Sequence, residues 1–154
     1  MKFNEDSRVK IPAILHLMSL GYEYLSLKEY NQKKDSGTNI FTDIFLNSLE
    51  RLNPNQTRET LNQTLKELIL LLDNDDIGKA FYERLTSRSG LKIIDFDDFF
   101  KNKFQVVTEL TYKNGDDEFR PDITILLNGL PLIFIEVKKP NNREGIISEH
   151  KRIK

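Results

Sequence analysis

The stretch RPDITILLNGLPLIFIEVKKP, from Arg120 to Pro140, constrains the fold of this chain more than any other. Two runs rich in Ile, Leu and Phe, Asp122 to Leu127 and Leu132 to Lys138, are separated by turn-type residues, the pattern of a β-hairpin. Asp122, Glu136 and Lys138 stand at the ends of these otherwise apolar strands. An unpaired buried carboxylate or ammonium is costly, so such charges must find partners, a metal ion, or water in a cleft.

Register decides whether the three groups meet. With Asn128, Gly129 and Leu130 as a three-residue loop, Leu127 pairs with Pro131 and Asp122 falls opposite Glu136. Lys138, two residues on, then projects to the same side, while Ile123, Ile125, Leu127, Ile133, Ile135 and Val137 form an apolar face on the other. A two-residue loop would pair Asp122 with Ile135 and send the carboxylates to opposite faces, because a one-residue slip inverts every side chain. The clustering therefore calls for the longer loop.

Upstream the period is helical. Ile11, Ile14, Leu15 and Met18 mark a first helix over Arg8 to Leu20, ended by Gly21 as a left-handed cap, and Tyr22 to Leu27 reads as a short strand. Ile40, Ile44, Phe45, Leu49 and Leu52 mark a second helix. Asn53, Pro54 and Gln56 read as the cap of a third, with Leu61, Leu65, Leu68, Ile69 and Leu72 as its stripe. A fourth, opened by Asp75 or Asp76, shows Ile77, Phe81 and Leu85 to the core and ends near Gly90. Lys92 to Phe96 and Phe104 to Tyr112 read as strands. The expected class is α/β (α+β mixed), a mixed central β-sheet flanked by helices that are mostly N-terminal.

At 154 residues the chain fits one domain. With no cysteine there is no disulfide, thiolate site or cysteine nucleophile, and two histidines leave little for zinc, so any metal would be oxygen-bound. No apolar run is long enough to span a bilayer and the N-terminus has no signal-peptide core, so no membrane partner and a cytoplasmic location are expected. The formal charge of −1 argues against tight autonomous binding to DNA, because neutralising phosphate with Lys and Arg supplies most non-specific affinity. A DNA substrate would need to be delivered.

Phosphodiester cleavage asks for the groups that the hairpin ends supply. Hard carboxylate oxygens hold Mg2+, the ion polarises phosphate and acidifies water, and a cation offsets charge in the transition state. Asp122 and Glu136 are the candidate metal ligands with the carbonyl of Val137 as a third, and Lys138 would orient water or stabilise the phosphorus centre.

Proline-aspartate, a hairpin, then glutamate, one apolar residue and lysine resembles the PD-(D/E)xK nucleases. The longer string RPDITILLNGLPLIFIEVKKP, with LNPNQTRETL and FFKNKFQVVTEL upstream, resembles the N-terminal endonuclease domain of type I restriction enzyme R subunits over most of the chain. The resemblance implies a restriction-endonuclease-like core and a Mg2+-dependent endonuclease, with catalytic residues Asp122, Glu136 and Lys138 and metal ligands Asp122, Glu136 and Val137. It further implies cleavage of double-stranded DNA without sequence preference, after ATP-driven translocation in a complex with methylation and specificity subunits. Residues 1–154 would then be one nuclease domain at the start of a longer subunit, since EHKRIK breaks off inside a basic helical pattern. No phosphate-cradling glycine-rich loop is present, so ATP would bind in a downstream translocase and not here.

Two features depart from the family. Lys10 stands where many members carry an acidic residue on the first helix, with Glu5 or Glu109 as substitutes, and no glutamine follows Gln105 to make the helical motif after the lysine. A free-standing nuclease of DNA repair or mobile elements and a catalytically idle DNA-binding or docking module are the alternative readings. Blander readings apply elsewhere. Glu-x-Lys also occurs at Glu149 to Lys151, Arg120, Lys139 and Arg143 fit solvated surface charge, His16 and His150 fit incidental positions, and Phe96, Phe99, Phe100 and Phe104 fit a core cluster.

Overall fold

The fold comes from a computed structural model and is described for residues 9–30, 34–114 and 117–138. In chain order the elements are α1 (Ile11–Ser19), β1 (Glu23–Tyr24), α2 (Leu27–Tyr30), α3 (Thr42–Leu52), α4 (Arg58–Leu72), α5 (Lys79–Thr86), β2 (Phe104–Thr108), β3 (Tyr112–Asn114), β4 (Asp117–Phe119), β5 (Ile123–Leu127) and β6 (Leu130–Ile135). Four strands form one sheet in the order β1-β2-β5-β6, and β3 and β4 form a second, two-stranded sheet. The larger sheet is mixed, because β1 runs parallel to β2 while β2, β5 and β6 alternate. Class, mixed central sheet and early helices agree with the expectation, including the restriction-endonuclease-like arrangement.

Helices cover the two faces differently. On one, Val9, Ala13, Ile14 and Leu17 pack on Val106, Ile123, Ile135 and Val137. The inward stripe of α1 therefore sits beside the expected one, and Ile11, Leu15 and Met18 are exposed. Val9, Ala13 and Leu17 repeat at helical spacing just as well, and small Ala13 lets the helix lie close to the sheet. On the other face Phe41 and Ile44 meet Val107 and Leu126. Behind them α3, α4 and α5 build the largest core from Phe45, Leu49, Leu61, Leu65, Leu68 and Leu85. Each fully buried Leu or Phe of that kind contributes about 1.5–3 kcal/mol.

Several local expectations are corrected. The cap of α4 is Thr57, whose hydroxyl accepts from the Thr60 N–H at 3.2 Å, whereas Asn53 ends α3. Asp76 opens α5, its carboxylate accepting from the Gly78 and Ala80 N–H groups. The strand expected over Phe104 to Tyr112 breaks at Glu109, which takes a left-handed φ of 55°, and its continuation pairs with β4 instead. Lys92 to Phe96 forms no strand. Side-chain amides take up its backbone groups in place of a ladder. Asn53 exchanges two hydrogen bonds with Lys92, Asn128 Nδ2 donates to the Ile93 carbonyl, and Asn102 bonds both the N–H and the carbonyl of Asp95. Phe96, Phe99 and Phe100 are exposed, Phe100 to 99%, and do not form the expected core cluster. Phe99 and Phe100 lie on the short 3-10 turn Phe99–Lys101, with Phe99 resting on the Phe104 ring.

The hairpin loop is also shorter than expected. Asn128 and Gly129 alone make the turn, with φ of 53° and 83°, and Leu127 pairs with Leu130. Positive φ at both central positions is the type I′ geometry that Asn-Gly favours. The slip that this loop would impose is cancelled two residues later. Leu126 pairs with Pro131 but Ile125 with Ile133, so Leu132 is the extra residue of a β-bulge. Beyond it the register is the one that the longer loop would have produced.

Candidate active site

Past the bulge Thr124 faces Phe134 and Ile123 faces Ile135, and one further step sets Asp122 opposite Glu136. The side chain of Asp122 reaches across, and its Oδ2 accepts from the Val137 N–H at 2.9 Å. That bond ties the aspartate to the strand that carries the other two candidates. Glu136 Oε2 lies 3.5 Å from Lys138 Nζ, the ion pair expected of residues two apart on one side of an extended chain. Their side chains are only 16% and 25% exposed, so the pair is largely buried and not a solvated surface pair. Asp122 and the Glu136–Lys138 pair thus stand at the open end of the hairpin. The supposed apolar face is less complete, because Ile133 on the outer strand is half-exposed.

Two more residues join them. Lys10, at the start of α1, is 7% exposed. Its Nζ lies 2.6 Å from Glu109 Oε1 and 3.9 Å from Asp122 Oδ1. Docking of α1 on the sheet aims Lys10 inward, and the left-handed backbone at Glu109 turns that residue toward it after β2 ends. The last contact of β2 with the hairpin, from the Glu109 N–H to the Asp122 carbonyl at 3.2 Å, holds the two acids on adjacent chains. The sequence marks Glu109 only as a substitute ligand and Lys10 only as a departure from the family. The available signal was a lysine between Val9 and Ile11, in a helix whose inner side must be apolar.

The candidate donors are all oxygens, the kind that a hard divalent cation takes. Among the described residues no three His, Cys, Asp or Glu side chains converge by themselves as a metal cage. Mg2+ is commonly held by one or two carboxylates while keeping several waters and using substrate phosphate oxygens. Asp122 and Glu136, with the Val137 carbonyl between Glu136 and Lys138, supply such an open set of oxygen ligands.

A sequence model of the type I restriction enzyme R protein N terminus matches residues 2–154. The chain belongs to this family. Among its relatives is the "Putative type I restriction enzyme MjaIXP endonuclease subunit" of Methanocaldococcus jannaschii, 32% identical over 167 aligned positions that cover 93% of this chain and 16% of the relative. The SauCOLORF180P endonuclease subunit of Staphylococcus aureus (strain COL) is 26% identical, covering 90% and 15%. The HindI endonuclease subunit of Haemophilus influenzae is also 26% identical, covering 80% and 14%. The chain thus spans about one sixth of the length of these R-subunit relatives.

Arg120 and His16 are exposed, and Glu5, Lys139, Arg143, His150 and the region after the lysine lie outside the described residues. No helix among the described residues is long and apolar enough to cross a membrane.

Proposed function

We propose that this chain is the Mg2+-dependent nuclease centre of a type I restriction R subunit, hydrolysing phosphodiester bonds of double-stranded DNA without sequence preference. The observation that carries the reading is the convergence of Asp122, Glu136 and Lys138 at one hairpin end in a member of this family. Asp122, Glu136 and the Val137 carbonyl are its metal ligands, and Mg2+ bound there would polarise the scissile phosphate and lower the pKa of water.

The protein's own part is positioning and charge. The Val137 N–H fixes one oxygen of Asp122, so the carboxylate is oriented before any ligand arrives. Lys138, beside Glu136, donates from Nζ to a phosphate oxygen or to the attacking water, where its charge offsets that of the transition state. Partial burial of this pair strengthens those interactions relative to open water. A formal charge of −1 suits a nuclease to which DNA is delivered. We assign delivery to an ATP-driven translocase elsewhere in the full subunit, and sequence reading to the methylation and specificity subunits of the complex.

The test is to change Asp122, Glu136 and Lys138 singly to Ala in the assembled enzyme and to follow DNA cleavage and ATP hydrolysis together. Loss of cleavage with ATP hydrolysis retained is the expected result. Cleavage that survives any one of the three changes at the native rate refutes the assignment of that residue.

A further inference from the structure

We infer that the Lys10 ammonium, held between Glu109 and Asp122, stands in for a second divalent cation, so that one metal ion and not two completes the site. This rests on the reading of Asp122 and Glu136 as metal ligands and extends it to the number of ions.

Three observations support it. Lys10 is almost fully buried although it begins a helix, and its Nζ touches Glu109 at 2.6 Å and approaches Asp122 Oδ1 at 3.9 Å. A buried ammonium is retained only where carboxylates compensate it, so this cation is a built part of the cluster and not a surface charge folded inward. Asp122 Oδ2 accepts from the Val137 N–H on the strand that carries Glu136, and Oδ1 faces Lys10. The Glu109 side of Asp122 thus already carries a cation, and the inference places the single ion on the Glu136 side.

Charge points the same way. Lys10 already places one positive charge between Glu109 and Asp122, so a divalent ion on that side would sit against a cation in a half-buried place, which its own desolvation disfavours. Glu109 is accordingly a positioning residue that holds Lys10, and not a metal ligand.

Counting bound Mn2+ on the protein by electron paramagnetic resonance of the free ion tests this without using activity. Wild type should bind one ion, and Asp122→Asn should bind none. Lys10→Gln should gain a second, Glu109-dependent ion that is lost again in Lys10→Gln with Glu109→Gln. Glu109→Gln alone, a change at a half-exposed side chain, should keep one ion with affinity within threefold of wild type. Two ions on wild type, an unchanged count in folded Lys10→Gln, or loss of the ion in Glu109→Gln each overturns the inference while the metal site itself stands. No ion on wild type, or one indifferent to Asp122→Asn, overturns the metal site and the inference with it.

Discussion

The two ends of the β5–β6 hairpin handle polar groups in opposite ways. At the turn end Asn128 is fully buried, yet its side chain donates to the Ile93 carbonyl and to Asn102 Oδ1, each at 2.9 Å, and accepts from the Lys103 N–H at 2.8 Å. Every one of those partners is neutral and points at a donor or acceptor of matching kind. Gly129 beside it is clamped to α3, its carbonyl accepting from the Phe41 N–H. At the open end the polar groups are charged, three carboxylates with two ammoniums, and all but the buried Lys10 remain partly reachable from solvent. A neutral amide network completes itself and fixes shape, whereas a charged cluster is completed by what binds to it. One hairpin thus anchors the fold at one end and presents chemistry at the other.

The largest expected effect is at the open end. Glu136→Gln should lower DNA cleavage by the assembled enzyme roughly 10²–10³-fold or more, the usual scale for removing one electrostatic contributor. Its melting temperature, read by calorimetry, should stay near that of the parent. A cleavage loss matched by a collapse in stability would erase the distinction between the ends.

Next comes the turn. A Cβ at Gly129 would lie 2.8 Å from the Phe45 nitrogen and 2.9 Å from the Phe41 oxygen, both backbone atoms, at a φ of +83°. Gly129→Ala should cost about 3 kcal/mol, combining overpacking with left-handed strain, as a shift in urea unfolding. Asn128→Ala should cost about 2 kcal/mol, because it strands the Ile93 carbonyl and the Lys103 N–H. Both should leave the metal affinity of the surviving folded fraction unchanged.

The smallest effect concerns acid. Hydrogen bonding from the Asp98 N–H, helped by Lys92, holds the Asp95 carboxyl below its ordinary value of 3.8. A folded pKa lower than the unfolded one means stability that is present above about pH 4 and is lost as pH falls through the folded pKa. Asp95→Asn should therefore flatten part of the acid limb of a urea-midpoint curve. A limb identical to the parent's would show that Asp95 adds nothing to the wiring of the turn end.

Much of this molecule was readable from its residues. The apolar runs on either side of Asn-Gly specify a hairpin, the leucine spacing of α4 specifies its buried stripe, and the charges at the strand ends single out Asp122, Glu136 and Lys138. These follow from periodicity and from the cost of burying charge, which act over a few residues. The loop has two residues and not the expected three, in keeping with Asn-Gly as a two-residue turn signal, and the carboxylates still share a side because the bulge at Leu132 restores the register.

Tertiary structure alone decided the rest. The irregular course of Lys92 to Phe96 depends on amides from Asn53, Asn102 and Asn128, the last lying 35 residues from the carbonyl that it satisfies. Lys10 enters the site through a partner 99 residues away. Such contacts have no local period, because a side chain that bonds distant backbone or charge is selected by where packed elements bring it. The sequence by itself determined which groups needed company, and the docking of α1 and of the hairpin turn on α3 determined which company they found.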